Sequence, residues 1–211
     1  MTQTPTKTPR VIYNQNNRLT NFLKEKEGFR PEPYLDQAGL PTIGYGTRFY
    51  EDGTEVTMDD PAIDETRATN LMNGYVDQVA RTLTQMPGFN QLNPNQKDAV
   101  ISFGYNFGAN FYNDKDNFGI ISGAIEKGDN KAITDAFPLY VNVADENDPR
   151  GYSESQGLVN RRNAEVGLFN EAYKISTKKA KSKYKPTLST TRRRGEDRPY
   201  IQPEEIEYGI Y

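Results

Sequence analysis

Glu27 to Gly46 reads EGFRPEPYLDQAGLPTIGYG, and the fold is decided in this stretch. Just before it, Leu19, Phe22 and Leu23 are spaced for one face of a helix, with Asn17 placed to cap the start. Glu27 and Gly28 then fall at the helix end. Glycine suits a left-handed exit, and Pro31 and Pro33 forbid continuation because proline has no N–H to donate and crowds the preceding turn. Two strand-like runs follow, Tyr34–Asp36 and Thr42–Tyr45, joined by Gln37–Pro41 with Gly39 as the turn residue, so a β-hairpin is predicted. One carboxylate then stands at a helix end and another beside a hairpin turn, facing each other across a gap.

Two carboxylates in unlike surroundings are what glycosidic bond cleavage requires. One must hold its proton and give it to the leaving oxygen, and the other must stay ionised. The negative end of the helix and neighbouring Phe29 both favour the neutral acid at Glu27, while Asp36 in a polar turn stays charged. Thr42, six residues after Asp36, offers a hydroxyl to hold the attacking water. Glu, Asp and Thr also serve widely as solvated surface groups and turn formers, so residue types alone leave both roles open.

Composition narrows the chemistry. The 211 residues contain no Cys and no His, which removes disulfides, thiolate sites, the commonest metal ligand and the commonest base. Serine-triad, cysteine-protease and zinc-hydrolase schemes lose their usual parts, and acid–base work falls to carboxylates, Tyr or Lys. The length and apolar content suit one globular domain, or a two-lobed one, with a core large enough to fold unaided.

The order Glu, Gly, then Tyr-x-Asp-x-x-Gly-x-x-Thr-Ile-Gly-Tyr-Gly resembles the active-site signature of the phage-type lysozymes, the T4-like muramidases and related endolysins. The family's Glu–Asp–Thr set falls on Glu27, Asp36 and Thr42, with the family's separations of nine and six residues. Leu92 to Gly108 (LNPNQKDAVISFGYNFG) and Gly157 to Phe169 (GLVNRRNAEVGLF) agree as well, so the resemblance covers roughly residues 17–175. It implies an α+β, lysozyme-like fold: a small hairpin lobe (about 27–58) and a larger helical lobe (about 62–175) joined by a long helix across a cleft. The motif's arginine approaches the catalytic Glu in the family, and Arg161 holds that position here. Thr47 departs from the pattern, since many relatives carry His after that glycine; the link that His makes must be absent or replaced.

Along the rest of the chain, Thr47 to Met58 reads as strand, turn and strand about Asp52-Gly53. Tyr45, Phe49 and Tyr50 either line a saccharide cleft or form the hairpin's packing face. Asp60-Pro61 predicts a helix start, and Ile63, Leu71, Tyr75, Val79 and Leu83 carry it to about Gln85. Asn93-Pro94 starts another, with Val100, Phe103 and Phe107 inward. Asn106 breaks that face, as a satisfied core amide or as a substrate contact. Short helices are expected over Ile120–Glu126 and Lys131–Phe137, and a loop over Asn142–Gln156. Tyr140 stands near where relatives often have Trp, a third substrate-binding candidate after Tyr45 and Asn106. The last helix, Gly157–Lys174, is expected to pack through Leu158, Val166, Phe169 and Tyr173, with Arg162 in a surface ion pair with Glu165.

The ends differ from the body. Residues 1–16 read as a Thr/Pro/Asn-rich tail without the apolar stretch of a signal peptide, in which Val11-Ile12-Tyr13 either docks or stays solvated. Residues 176–211 hold nine basic and five acidic side chains (net +4), which leaves residues 1–175 at 17 against 24 (net −7). This tail is basic first, then acidic and Tyr-bearing. It suits anionic wall polymers, lipid headgroups, nucleic acid, docking on a phage structural protein, or plain solvation.

The expected activity is hydrolysis of the β-1,4 bond between N-acetylmuramic acid and N-acetylglucosamine in peptidoglycan, with inversion if the resemblance holds. No metal, cofactor, obligatory nucleic acid or membrane span is expected. The enzyme is expected in the host cytoplasm until another protein opens the membrane to the periplasm and cell wall, or else carried in the virion. The alternative is a virion structural or wall-docking protein that keeps the lysozyme body as a binding module.

Overall fold

The computed structural model describes residues 17–36 and 39–172. The expected tails (1–16 and 176–211), the Tyr173 packing position and the turn residues Gln37 and Ala38 lie outside the described residues. Helix α1 (Asn17–Glu27) buries Leu19 and Leu23, and Gly28 leaves it with φ +70°, its N–H donating to the Lys24 carbonyl. Strands β1 (Arg30–Leu35) and β2 (Pro41–Gly44) pair antiparallel, Tyr34 opposite Thr42 and Leu35 opposite Pro41. The register shifts between Arg30 and Tyr34, where Pro31 and Pro33 cannot donate to a regular ladder. Residues 47–56 continue this part as a turn held by the Phe49–Glu55 bridge, rather than as two full strands.

Helix α2 (Glu65–Leu83) starts later than the Asp60-Pro61 signal predicts. Asp64 is the cap, accepting from the Arg67 N–H at 2.6 Å. Asp60 instead accepts from the Thr57 N–H and hydroxyl and from the Tyr50 phenol. Ile63 donates its N–H to the Pro31 carbonyl, fixing the entry to α2 against the hairpin. Helix α3 (Pro94–Phe107) begins with Asn93 and Gln96 in a reciprocal capping box and Pro94 in the first turn. It is the central helix, with every residue from Asp98 to Gly104 buried.

Asp114 caps α4 (Lys115–Lys127), which lengthens that helix beyond its apolar core, and α5 (Asn130–Ala136) follows. The expected loop after Tyr140 contains a small hairpin, β3 (Asn142–Ala144) with β4 (Tyr152–Glu154). Its strands are three residues each, too short for an alternation of apolar residues to betray them. Helix α6 (Gln156–Asn170) packs on α3. Phe103 is wholly buried, with the rings of Phe107, Phe111, Phe118, Phe137 and Tyr140 around it at 4.8–6.0 Å. Burying such a side chain stabilises the fold by about 1.5–3 kcal/mol. The architecture is α+β, a hairpin part followed by helices. Among the described residues, no helix is long and apolar enough to cross a membrane.

Candidate active site

Glu27 closes α1 with its side chain one-fifth exposed (20%). Arg161 Nη1 donates to its Oε1 at 2.7 Å. A Cβ at Gly46 would stand 3.8 Å from its Oε2. Gly46 has φ +84°, a conformation other residues adopt at a cost, so the second oxygen is bordered by bare backbone. One carboxyl oxygen is therefore fixed and the other is left uncovered by a side chain at position 46.

Arg161 is itself held from behind. Its Nε donates to Glu165 Oε1 at 3.3 Å and its Nη2 to the Ser102 carbonyl at 3.3 Å. Glu165 is fully buried and also accepts from the Ser102 hydroxyl at 2.7 Å and from Arg162 Nη2 at 3.0 Å. Arg162 is not the surface partner of Glu165 that adjacency to solvent-facing positions would make it: both are fully buried. The reason is aromatic. The Arg162 guanidinium lies 4.7 Å from the Phe103 ring and 4.9 Å from the Phe107 ring, and its Nη2 donates to Asn106 Oδ1 at 3.1 Å. Its Nε is 2.8 Å from Glu165 Oε2, an ion-pair distance without hydrogen-bond alignment; Nε, Nη1 and Oε2 have no hydrogen-bond partner among the described residues. Burial pulls Arg162 down to about 10, with the Glu165 charge opposing, so it stays charged at neutral pH. Burial also pushes Glu165 up, against both guanidiniums.

The hairpin supplies the other acid. Asp36 Oδ1 accepts from the Leu40 N–H at 2.9 Å, and the backbones of Asp36 and Leu40 pair at 3.0 Å, so the turn sets this carboxylate's orientation. Thr42 is buried, and its hydroxyl donates to the Leu40 carbonyl at 3.0 Å. With its proton committed, Thr42 can serve a water only as acceptor. Tyr34, which the sequence reading passed over, relates the two acids. Burial raises its phenol, the charge of Arg30 beside its ring pulls it back, and the charges of both Glu27 and Asp36 raise it further.

The remaining candidates scatter. Tyr45 takes the packing alternative: its ring is buried (3% exposed), and its hydroxyl reaches the surface to donate to Glu65 at 2.8 Å. Its carbonyl accepts from the Tyr105 hydroxyl at 2.7 Å, tying the hairpin to α3. With the Ile43–Thr47 backbone pair, this contact holds the hairpin where Thr47 replaces the family's His. Asn106 is exposed, and its Oδ1 accepts from Arg162 Nη2. Tyr140 stacks on Phe118 and lines a recess of about 340 Å³ with Phe107, Asn117, Leu139 and Asn142, a lining that includes neither Glu27 nor Asp36. Gly46, Ser102, Tyr105, Arg162 and Glu165 were missed as site residues. A signal existed for the last two, since Arg161 and Arg162 stand four and three residues before Glu165 and so share its helix face.

The chain matches a model of the phage lysozyme family over residues 24–165. It is 33% identical over 96 residues to the endolysin of Salmonella phage P22, a match covering 44% of this chain and 62% of that protein, so the aligned part falls short of two thirds of the relative's length. Among solved structures, the endolysin of Escherichia coli phage FAHEc1 superposes with a TM-score of 0.61 at 25% identity, over 73% of this chain and 91% of that one. A P22 lysozyme variant superposes with a TM-score of 0.55 at 27% identity, over 72% and 94%. The matched span holds Glu27, Asp36, Thr42 and Arg161 together, and the chain belongs to the phage lysozyme family.

Proposed function

We propose that this chain is a peptidoglycan hydrolase, a muramidase that cleaves the β-1,4 bond between N-acetylmuramic acid and N-acetylglucosamine. The observation that carries the reading is the asymmetric setting of Glu27. Oε1 is clamped by Arg161, and Oε2 borders the side-chain-free Gly46, where a glycosidic oxygen can approach. Glu27 donates the proton to the leaving oxygen. Asp36 stabilises positive charge developing at the anomeric carbon and directs a water toward it, with Thr42 Oγ1 accepting one hydrogen bond from that water. Attack from the face opposite the leaving group inverts the anomeric centre, for which the two carboxyl groups stand about 6.5–9.5 Å apart in glycosidases of this kind.

Synthesis in the host cytoplasm followed by release to the cell wall fits a phage enzyme of this class. A virion-borne route, with residues 176–211 docked on a phage structural protein, rests on the charge change at residue 176. Blotting purified particles for the chain separates the two. The activity itself is tested by reducing-end release from purified peptidoglycan, compared with Glu27→Gln.

A further inference from the structure

Helix α6 turns charged residues toward α3 where apolar ones would pack at lower cost. Arg161, Arg162 and Glu165 are all buried, and three of their polar atoms lack hydrogen-bond partners among the described residues. Buried ion clusters are commonly no more stabilising than apolar side chains of the same volume, so this one calls for a reason other than stability. Its geometry supplies one. Two guanidiniums stand behind Glu27, and one of them touches it at 2.7 Å. Unopposed, both guanidiniums would direct their positive charge at Glu27 alone. Glu165 Oε1 accepts from both guanidiniums, from Arg161 Nε and Arg162 Nη2, and so draws their charge away from Glu27.

We propose that Glu165 is a positioning and charge-balancing residue for the reaction: a buried counter-carboxylate that fixes Arg161 against Glu27 while leaving Glu27 able to carry a proton. The inference rests on Glu27 acting as the acid. Among the described residues, the charged and titratable groups bearing on Glu27 are Arg161 and Arg162 from α6, with Glu165 acting through both, Tyr105 from α3, and Tyr34 from β1 with Arg30 beside it. Asp36 from the turn acts on the same Tyr34 phenol, and the nearby basic groups of α1 are engaged elsewhere, Lys24 with Glu65 and Lys26 with Glu25. Of these, Glu165 is the buried anion that shares a guanidinium with Glu27. Ser102 completes the device by donating to the same Glu165 oxygen, which keeps the counter-carboxylate in place.

Two substitutions move the balance in opposite directions. Glu165→Gln keeps the shape and an acceptor oxygen but removes the counter-charge, so both guanidiniums bear on Glu27 alone. The alkaline limb of the pH–rate profile, which reports loss of the donor proton, then moves down by one pH unit or more. Arg162→Met removes one cation and moves that limb up. The rate is measured as reducing ends released per folded molecule. In parallel, the Glu27 side-chain carboxyl is titrated by ¹³C NMR, which requires no activity. Opposite shifts in the two variants, seen by both methods, support the proposal; loss of thermal stability alone cannot produce them. Should Glu165→Gln fail to fold, Arg162→Met carries the test with its own sign. A limb and an NMR midpoint that stay where the parent's are in the folded variants overturn the proposal. An NMR shift in a protein that releases no reducing ends upholds the charge balance and defeats the muramidase reading instead.

Discussion

Replacing Phe103 by Leu tests how the aromatic cluster sustains the site. The ring is wholly buried, packs against five other rings at 4.8–6.0 Å, and lies 4.7 Å from the buried Arg162 guanidinium. Leu keeps most of the apolar volume, so the loss is mainly electrostatic and geometric. A desolvated cation–π contact is worth about 2 kcal/mol, and aromatic pairs contribute about 0.5–1.5 kcal/mol each but overlap when they share a ring. A total of about 3 kcal/mol follows, or a fall in Tm of about 6–12 °C for a domain of this size. Urea unfolding followed by far-UV circular dichroism gives the number directly. In an Arg162→Met background the same substitution loses about 1–2 kcal/mol less, because the cation is already gone. A loss under about 1 kcal/mol, or an equal loss in both backgrounds, would refute the claim that Phe103 holds Arg162.

Gly46→Ala places a methyl near Glu27 Oε2 and forces an L-residue to φ +84°, so activity falls at least tenfold, about 1.4 kcal/mol in the barrier, with a stability loss of about 1–2 kcal/mol; unchanged wall hydrolysis contradicts the open-oxygen geometry. Asp64→Ala removes the cap of α2 and lowers stability by about 1 kcal/mol, measured by urea unfolding. Tyr45 is pushed up to about 12, by burial first, then by its hydrogen bond to Glu65 and by the Glu65 charge. Its folded value lies above the ordinary phenol near 10, so its contribution is complete below pH 10 and is lost as pH rises toward 12. Tyr45→Phe therefore flattens the alkaline fall in stability across that window, and an unaltered slope argues against the Tyr45–Glu65 contact.

What the sequence announces and what it conceals divide along physical lines. The α1 exit at Gly28 and the capping box at Asn93 are written in local chemistry, which a single chain displays openly. The start of α2 is not, because Asp60 and Asp64 are equally good caps, and the choice is made by Thr57, Tyr50 and the Pro31 carbonyl. Hydrophobic periodicity fails on α6, whose buried face consists of Arg161, Arg162 and Glu165 beside Leu168 and Phe169. A pattern that scores charges as exposed cannot see a buried ion cluster. Tyr45 stays open in the sequence for another reason: an aromatic in a glycine-rich turn suits a sugar platform or a packing face until Glu65 and Tyr105 are known to hold it inward. Glu27 and Asp36 stand out as candidates in the sequence because one hairpin and the helix just before it carry them. Arg161, 134 residues away from Glu27, was legible through the family motif, whereas the burial of Arg162 and Glu165 behind it was not.

The most direct measurement is product analysis of purified peptidoglycan digested with the parent protein and with Glu27→Gln at equal folded concentration. The parent is expected to release N-acetylmuramic acid reducing ends, first as the inverted anomer, and Glu27→Gln to release none while keeping its circular dichroism spectrum. Undiminished release by Glu27→Gln would remove Glu27 from the chemistry, and with it the enzyme proposed here.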